Sequence, residues 1–377
     1  MVRRPLDGIR VLDLTRIISG PYCTRLLADC GAEVIKVEPV GGEHMRQKQP
    51  MREGHSTYFG HLNAGKKSVT IDFRDPADLA RIRALAKTCD IAVENFRPGV
   101  VTELGLDYPS LSQVRPDIIY SSISGFGQHG PRATSPAYAP ILHALSGHDL
   151  AAQTYDGALG PAKSGIWYAD IMGGAYAFAA IQTALVGRLR HGTGQFIDVS
   201  LLDTMINLLV LEVQEAQTPS AFSRWLATPV QAVDGCAMAI PITGRNFERL
   251  ADAMDRPALK DDPRFNTQLA REENWQALMS EIEIWTKSRP AVEVEAHLMS
   301  AGVPCSRYQT VAQAIDDPQI AARGLMSPVA AGEDSYRVPG PPFLFADTPL
   351  CVGPDVPATG ADTEAVLGAL QTSQAAG

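Results

Sequence analysis

Ile9-Arg10-Val11-Leu12-Asp13-Leu14, then Pro21 with Leu26 and Leu27, then Glu33-Val34-Ile35-Lys36-Val37, is the stretch on which the fold turns. The first run is short, mostly apolar and rich in branched residues, which reads as a strand. Pro21 opens a helix, because the N–H it lacks would go unpaired at a first helical position. Leu26 and Leu27 supply that helix with its apolar face, and Gly31 ends it. Glu33 to Val37 is the next strand.

The same alternation continues along the first 200 residues. Ser68 to Phe73 alternates apolar and polar as a strand does. Asp75-Pro76 caps a helix whose Leu79, Ile82, Leu85 and Ala86 share one face. Asp90 to Glu94 and Asp117 to Ser122 are further strands. Repeated strand–helix units of this kind imply an α/β fold with a parallel sheet flanked by helices. From Met172 to Arg190 the chain is rich in Ala, Gly and Leu without proline, which reads as a buried helix. Residues 225–324 change character and carry amphipathic helices such as Asn274 to Lys287 and Ala291 to Ser300, as in a smaller α-rich domain. After Gly324 the texture turns to strands and Pro-rich turns. The tail from Thr372 to Gly377 is small and polar and is expected to fray.

Composition bounds the function. A chain of 377 residues with 45% hydrophobic content suits two domains, or one large domain with an insertion. A net charge of -9 argues against nonspecific nucleic-acid binding, so an anionic ligand needs a local basic site. The six cysteines (23, 30, 89, 236, 305 and 351) are scattered without a CxxC pair, which fits reduced thiols in a cytosolic protein. The N-terminus shows no apolar signal core, and no run of roughly 18 apolar residues is present.

Gly125-Phe126-Gly127-Gln128-His129-Gly130 has dinucleotide-loop spacing, but Pro131 and Pro136 follow where a helix would have to start. That makes it a loop. His129, His143 and His148 cluster without HxH or HExxH spacing, so no metal set is assigned. There is no GxSxG elbow. Asn95-Phe96-Arg97-Pro98-Gly99 follows a strand, where open α/β sheets bind ligands; Arg97 could grip phosphate and Phe96 could stack on a base. Arg16 sits similarly after the first strand. Asn63-Ala64-Gly65-Lys66-Lys67-Ser68 reads as a solvated basic turn. Asp170 stands at the start of the apolar helix. There it is either a structural N-cap or a carboxylate kept ionised by the helix end and able to attack a thioester, with Gly173 and Gly174 allowing close approach.

Together these segments resemble the class III CoA-transferase family, which includes formyl-CoA transferase and α-methylacyl-CoA racemase. The landmarks are Pro5 to Gly8, Asp13-Leu14-Thr15 through Gly20-Pro21, Leu27 to Glu38, Glu94 to Gly99, Gly125-Phe126-Gly127 through Gly130-Pro131, Asp261 to Phe265, and Gly302 to Cys305. The resemblance implies a Rossmann-like large domain built from both chain ends (1–205 and 325–377), a linker over 206–224, a small domain over 225–324, and two chains interlocked as a cytoplasmic homodimer. It implies CoA transfer from an acyl-CoA to a carboxylic acid, with Asp170 as nucleophile passing through an anhydride and an aspartyl-CoA thioester. CoA thioester is then a substrate, and no metal or permanent cofactor is implied.

The resemblance carries over residue by residue. Arg16, Ile17, Ile18 and Ser19 lie by the ligand. Pro39 stands where relatives often have arginine, and Ile71 and Arg74 match the adenine-proximal segment. Asn95, Phe96 and Arg97 match the phosphate and base region. Glu103 replaces a common basic residue. Ile18 replaces a glutamine of formyl-CoA transferase, favouring a larger or less polar acid than oxalate. Thr218 to Thr228 and Asp234 to Ala237 are placed near the acyl pocket by the same analogy. The rival is the racemase branch, whose Gly-His-Asp histidine would fall where Ala137-Tyr138-Ala139 stands; Tyr138 suits the transferase branch, and His148-Asp149 comes about ten residues too late. A non-catalytic acyl-CoA-binding protein would leave Asp170 unused.

Overall fold

In the computed structural model of the protein, residues 3–157, 159–218, 228–239 and 243–375 are described. The chain divides into two compact units, residues 1–214 with 321–377, and residues 215–320. Of the Thr218 to Thr228 stretch, residues 219–227 lie outside the described residues.

The principal elements of the larger unit are β1 (Arg10–Asp13), α1 (Ser19–Asp29), β2 (Glu33–Pro39), α2 (Thr57–Asn63), β3 (Lys67–Ile71) and α3 (Pro76–Ala86). They continue with β4 (Ile91–Glu94), β5 (Ile119–Ser124), α4 (Ala139–Ser146), α5 (His148–Asp156), α6 (Tyr168–His191), β6 (Gln195–Ser200) and α7 (Leu201–Leu208). The six strands form one sheet in the order β3-β2-β1-β4-β5-β6, every neighbouring pair parallel. In this doubly wound order the chain leaves β1 toward one edge and β4 toward the other. The crevice between their C-terminal ends is where such sheets accept ligands.

Alternation along the strands separates two cores. Val11, Val34, Ile91, Val93, Ile119 and Ile123 face α1, α4, α6 and α7. Leu12, Ile35, Val37, Val69, Ala92 and Tyr120 face α3 and the helix Thr363–Ala375. Burying each large aliphatic side chain contributes about 1.5–3 kcal/mol. Val366 and Leu367 pin that last helix to the sheet; it runs through Ala375, into the tail expected to fray, whose residues 376–377 lie outside the described residues.

The edge of β3 is covered by late residues. Ser68 N–H donates to Asp362 Oδ2 at 2.8 Å and Thr70 N–H to Thr363 Oγ1 at 3.0 Å, while Asp362 N–H returns a bond to the Ser68 carbonyl.

Three local expectations are corrected. Helix α1 starts at Ser19, two residues before Pro21. Any residue in a first turn has an unpaired N–H, so proline is accepted there as well as at the first position. Helix α6 is not buried all round. Ala169, Gly173, Gly174, Ala177, Ile181 and Leu185 form its inner face, while Leu189 is 85% and Val186 52% exposed. It is the one described helix long and apolar enough to cross a membrane, yet that inner face packs in the core. Lys66 is not in a solvated turn. Its ammonium is wholly buried and bonds Asp13, Thr24 and Asn63 at 2.7–2.9 Å.

The second unit has a three-stranded antiparallel sheet ordered Cys305–Arg307, Gly235–Ala239, Val230–Ala232. Helices Gly244–Ala253, Trp275–Thr286 and Ala291–Ser300 give it a core of its own around Phe247, Leu250, Leu278, Ile282 and Val294. Asp234 to Ala237 lies in a turn and strand of this unit.

Candidate active site

The two loops at the sheet's switch point are stitched together by one side chain. The Asn95 carboxamide accepts the Arg16 N–H at 2.8 Å, donates to the Arg16 carbonyl at 2.7 Å and reaches Ser19 Oγ at 3.3 Å. The Arg16 guanidinium lies 4.8 Å from the centre of the Phe96 ring. Phe96 N–H in turn donates to Glu94 Oε2 at 2.8 Å. Burial pushes the Glu94 carboxyl up to about 7, against the bonds it receives from Ser122 and Phe96.

Beneath the first loop lies a buried ionic layer. Asp13 accepts from Thr15, Thr24 and Lys66. Burial alone would raise its carboxyl, but Lys66 and Lys36 reverse this and hold it below the ordinary range. Lys36 donates to the Thr15 carbonyl and pairs with Glu43, each at 2.8 Å. Glu43 accepts the Ile17 N–H at 2.6 Å. Ile17 has φ of 70°, a left-handed backbone that β-branched residues rarely adopt.

Above these loops opens a cleft of about 610 Å³. Arg16, Ile17, Ile18 and Ser19 form one wall, Asn95, Phe96 and Arg97 the next, and Ala137 and Tyr138 a third, with Asp170 among them. Three expected ligand contacts do not join this lining. Pro39 and Ile71 are register partners at the ends of β2 and β3, away from the switch point, and Ile71 is in the core. Arg74 is 91% exposed and bonds its neighbour Asp72 at 3.0 Å. The lining also holds residues the sequence did not single out: His44, Met45, Lys48, Tyr58, Trp167 and Leu201. No local pattern marks them: His44, Met45 and Lys48 lie in or beside a single 3-10 turn and Tyr58 in the short helix α2, while Trp167 and Leu201 sit at helix starts. Arg16, Lys48 and Arg97 are exposed and form no ion pair among the described residues, so this acidic chain presents a basic mouth to the cleft.

Asp170 is in the first turn of α6 and is not its N-cap. The cap position is Trp167, whose side chain caps nothing. The Ala169 N–H goes instead to His143 Nε2 of α4, at 3.3 Å. No described side chain bonds or pairs with the Asp170 carboxylate. Burial pushes it up to about 6, the reverse of the lowering expected from the helix end. At pH 7 a group of that pKa is still about 90% ionised. Tyr58 stands close enough that, after burial, the Asp170 charge is the next cause raising its phenol. Gly173 and Gly174 serve packing, not access to substrate. A Cβ on Gly173 would come within 2.1 Å of Leu201, and one on Gly174 within 2.5 Å of the Ser19 carbonyl. Helices α1 and α7 thus fill the space that a thioester was expected to use.

Gly125 to Pro131 is a loop without a following helix, as its prolines required. His143, His148 and Asp149 come together with possible ligand atoms within 4.8 Å of one another. They are engaged with protein groups: His143 with Ala169 N–H, His148 Nδ1 with Asp149 at 3.0 Å, and both rings with Tyr168. Neither His148 nor Asp149 lines the cleft.

A doubly wound sheet with a basic-mouthed cleft over a lone carboxylate suits the class of proteins that bind anionic ligands. Comparison with known proteins narrows the class. Residues 6–363 match the model of CoA-transferase family III. The chain is 35% identical to an acetyl-CoA:oxalate CoA-transferase of Acetobacter aceti, covering 90% of this chain and 93% of the relative. It is 34% identical to a succinate–glutarate CoA-transferase of Agrobacterium fabrum, over 98% and 96%. A CaiB/BaiF family protein from Brucella suis superposes with a TM-score of 0.84 at 32% identity, over 98% of this chain and 100% of that one. The chain belongs to CoA-transferase family III. It is an enzyme of the CaiB/BaiF type.

Proposed function

We propose that this enzyme moves coenzyme A from an acyl-CoA donor to a carboxylic acid acceptor, with Asp170 as the covalent relay. The observation that carries the proposal is the position of Asp170: half-buried and without a partner among the described residues, in a cleft lined by Arg16, Lys48 and Arg97, which form no ion pair among the described residues. In the cycle, the Asp170 carboxylate attacks the thioester carbonyl, the C–S bond breaks, and CoA thiolate leaves an aspartyl anhydride. The thiolate attacks the aspartyl carbonyl, releasing the donor acid and leaving an aspartyl-CoA thioester. The acceptor carboxylate displaces thiolate from that thioester, and thiolate then takes the new acyl group, freeing Asp170. Charge and atoms balance without a metal or permanent cofactor.

Arg16, Lys48 and Arg97 are suited to the phosphates and Phe96 to the base. Named relatives act on oxalate, glutarate and succinate. Ile18 in the cleft wall favours a less polar or longer acid than oxalate. We also propose a cytoplasmic, interlocked homodimer, with Val186 and Leu189 of α6 among the apolar side chains that a second copy would cover.

Incubation with acyl-CoA followed by hydroxylamine or borohydride should leave a modified Asp170, read by mass spectrometry. An unmodified residue together with α-proton exchange in deuterated water would refute transfer in favour of racemisation. No trapping and no exchange, with tight CoA binding, would leave a binding protein.

A further inference from the structure

We infer that Glu43 is a positioning residue for the cleft, holding Ile17 in its left-handed backbone from below and thereby setting where Arg16 and Ile18 stand. Ile17 is a β-branched residue at φ 70°, a conformation that persists only where surroundings enforce it and that concentrates at functional sites. The enforcing group is visible. Glu43 Oε1 accepts the Ile17 N–H at 2.6 Å. The carboxylate cannot swing away. Its other oxygen is 2.8 Å from the Lys36 ammonium, and its own N–H is bound by Glu38 Oε2 at 3.0 Å. Glu38 is in turn gripped by Arg46. Glu43 is 6% exposed and Lys36 2%, so water does not substitute for either.

The consequence reaches two walls. Arg16, Ile17 and Ile18 form one side of the cleft, and His44 and Met45, which follow Glu43 directly, belong to another. One buried carboxylate therefore fixes the spacing of both. Its effect on turnover rests on the CoA-transferase reading; its effect on the backbone does not.

A double-mutant cycle tests this. Glycine takes φ 70° without steric cost, so Ile17→Gly should make the Glu43 contact nearly dispensable. E43A should weaken binding of coenzyme A, measured by calorimetry, by about tenfold or more in the native background and by less than about threefold in the I17G background. Equal losses in the two backgrounds would overturn the proposal, because loss of the Lys36 partner alone acts the same in both. E43Q keeps an acceptor oxygen and should stay within about threefold of the native affinity. A loss as large as that of E43A would assign the effect to charge and also overturn it. If E43A does not fold, E43Q decides. If the native enzyme neither binds nor transfers CoA, the transferase reading fails, and amide exchange at residue 17 still decides. Slow exchange in the native chain, with faster exchange in E43A relative to the flanking sheet, is expected. Exchange at equal rates would refute the role of Glu43.

Discussion

Replacing Asp170 by asparagine should end turnover and make the protein more stable. Burial raises this carboxyl from 3.8 to about 6, and no cation offsets it. The folded state therefore resists the ionised form that chemistry needs. Two pH units correspond to about 3 kcal/mol at roughly 1.4 kcal/mol per unit. The site opens to solvent, so screening reduces this to about 1–2 kcal/mol. The sign follows from proton binding. Because the folded pKa lies above the unfolded one, the penalty is absent below about pH 4, grows between the two values and is complete above about pH 7. D170N removes the ionisable group with almost no change of shape. Its melting temperature should exceed that of the native enzyme by about 2–4 °C at pH 8, and the gap should narrow to about a third of that by pH 4.5. Thermal scans of both proteins across that range, beside CoA-transfer assays, make the test. A variant less stable than the native enzyme at pH 8, or a gap independent of pH, would show that the carboxylate is not desolvated and remove the basis for its raised pKa.

Three further outcomes follow from the same geometry. The rate of acyl-enzyme formation should fall about tenfold per pH unit below pH 6, as Asp170 takes up its proton; rapid-quench trapping from pH 4.5 to 8 gives the profile, and a limb near pH 4 would contradict it. Asn95→Ala should raise the Kd for CoA by about tenfold or more through loss of the bonds to Arg16, while circular dichroism stays native. Gly174→Ala should cost about 1–3 kcal/mol in denaturant unfolding, since its Cβ would press on the Ser19 carbonyl, and an unchanged midpoint would refute the close helix contact.

Much of the sheet is legible in the chain because its central strands are almost wholly buried. Runs such as Val11-Leu12 and Val34-Ile35 are apolar on both faces, and their shortness and flanking turn residues mark them as strands. Asp75 does what its Asp-Pro pair announces, accepting the Ala77 N–H at 2.8 Å. The loop after β4 could be placed at a ligand crevice because strand ends in open sheets have that role. The ionic layer could not be seen. Lys36, Glu43 and Lys66 look like surface charges in any window of sequence. Lys66 is buried because Asp13 arrives from a distant segment, while Lys36 and Glu43 pair across a turn and close on the backbone of Thr15 and Ile17. Tyr58 and Lys48 escaped for the same reason: their place in the cleft depends on where α2 and the turn before it settle, which tertiary packing decides. Asp170 was legible as a residue of interest, but its surroundings were not. Neither the His143 acceptor beneath its helix start nor the helices that fill the space beside Gly173 and Gly174 leave a local trace.

The covered edge of β3 bears on how the protein is made. Residues 360–363, which close that edge, are synthesised after all six strands and after the entire second unit. Until they emerge from the ribosome, the nascent sheet carries an open strand ready to pair with a neighbouring chain. The large unit cannot be completed during elongation of its own strands. It is sealed only when a segment made long after its own strands arrives, and premature termination near residue 355 would release a chain whose sheet is formed but unguarded.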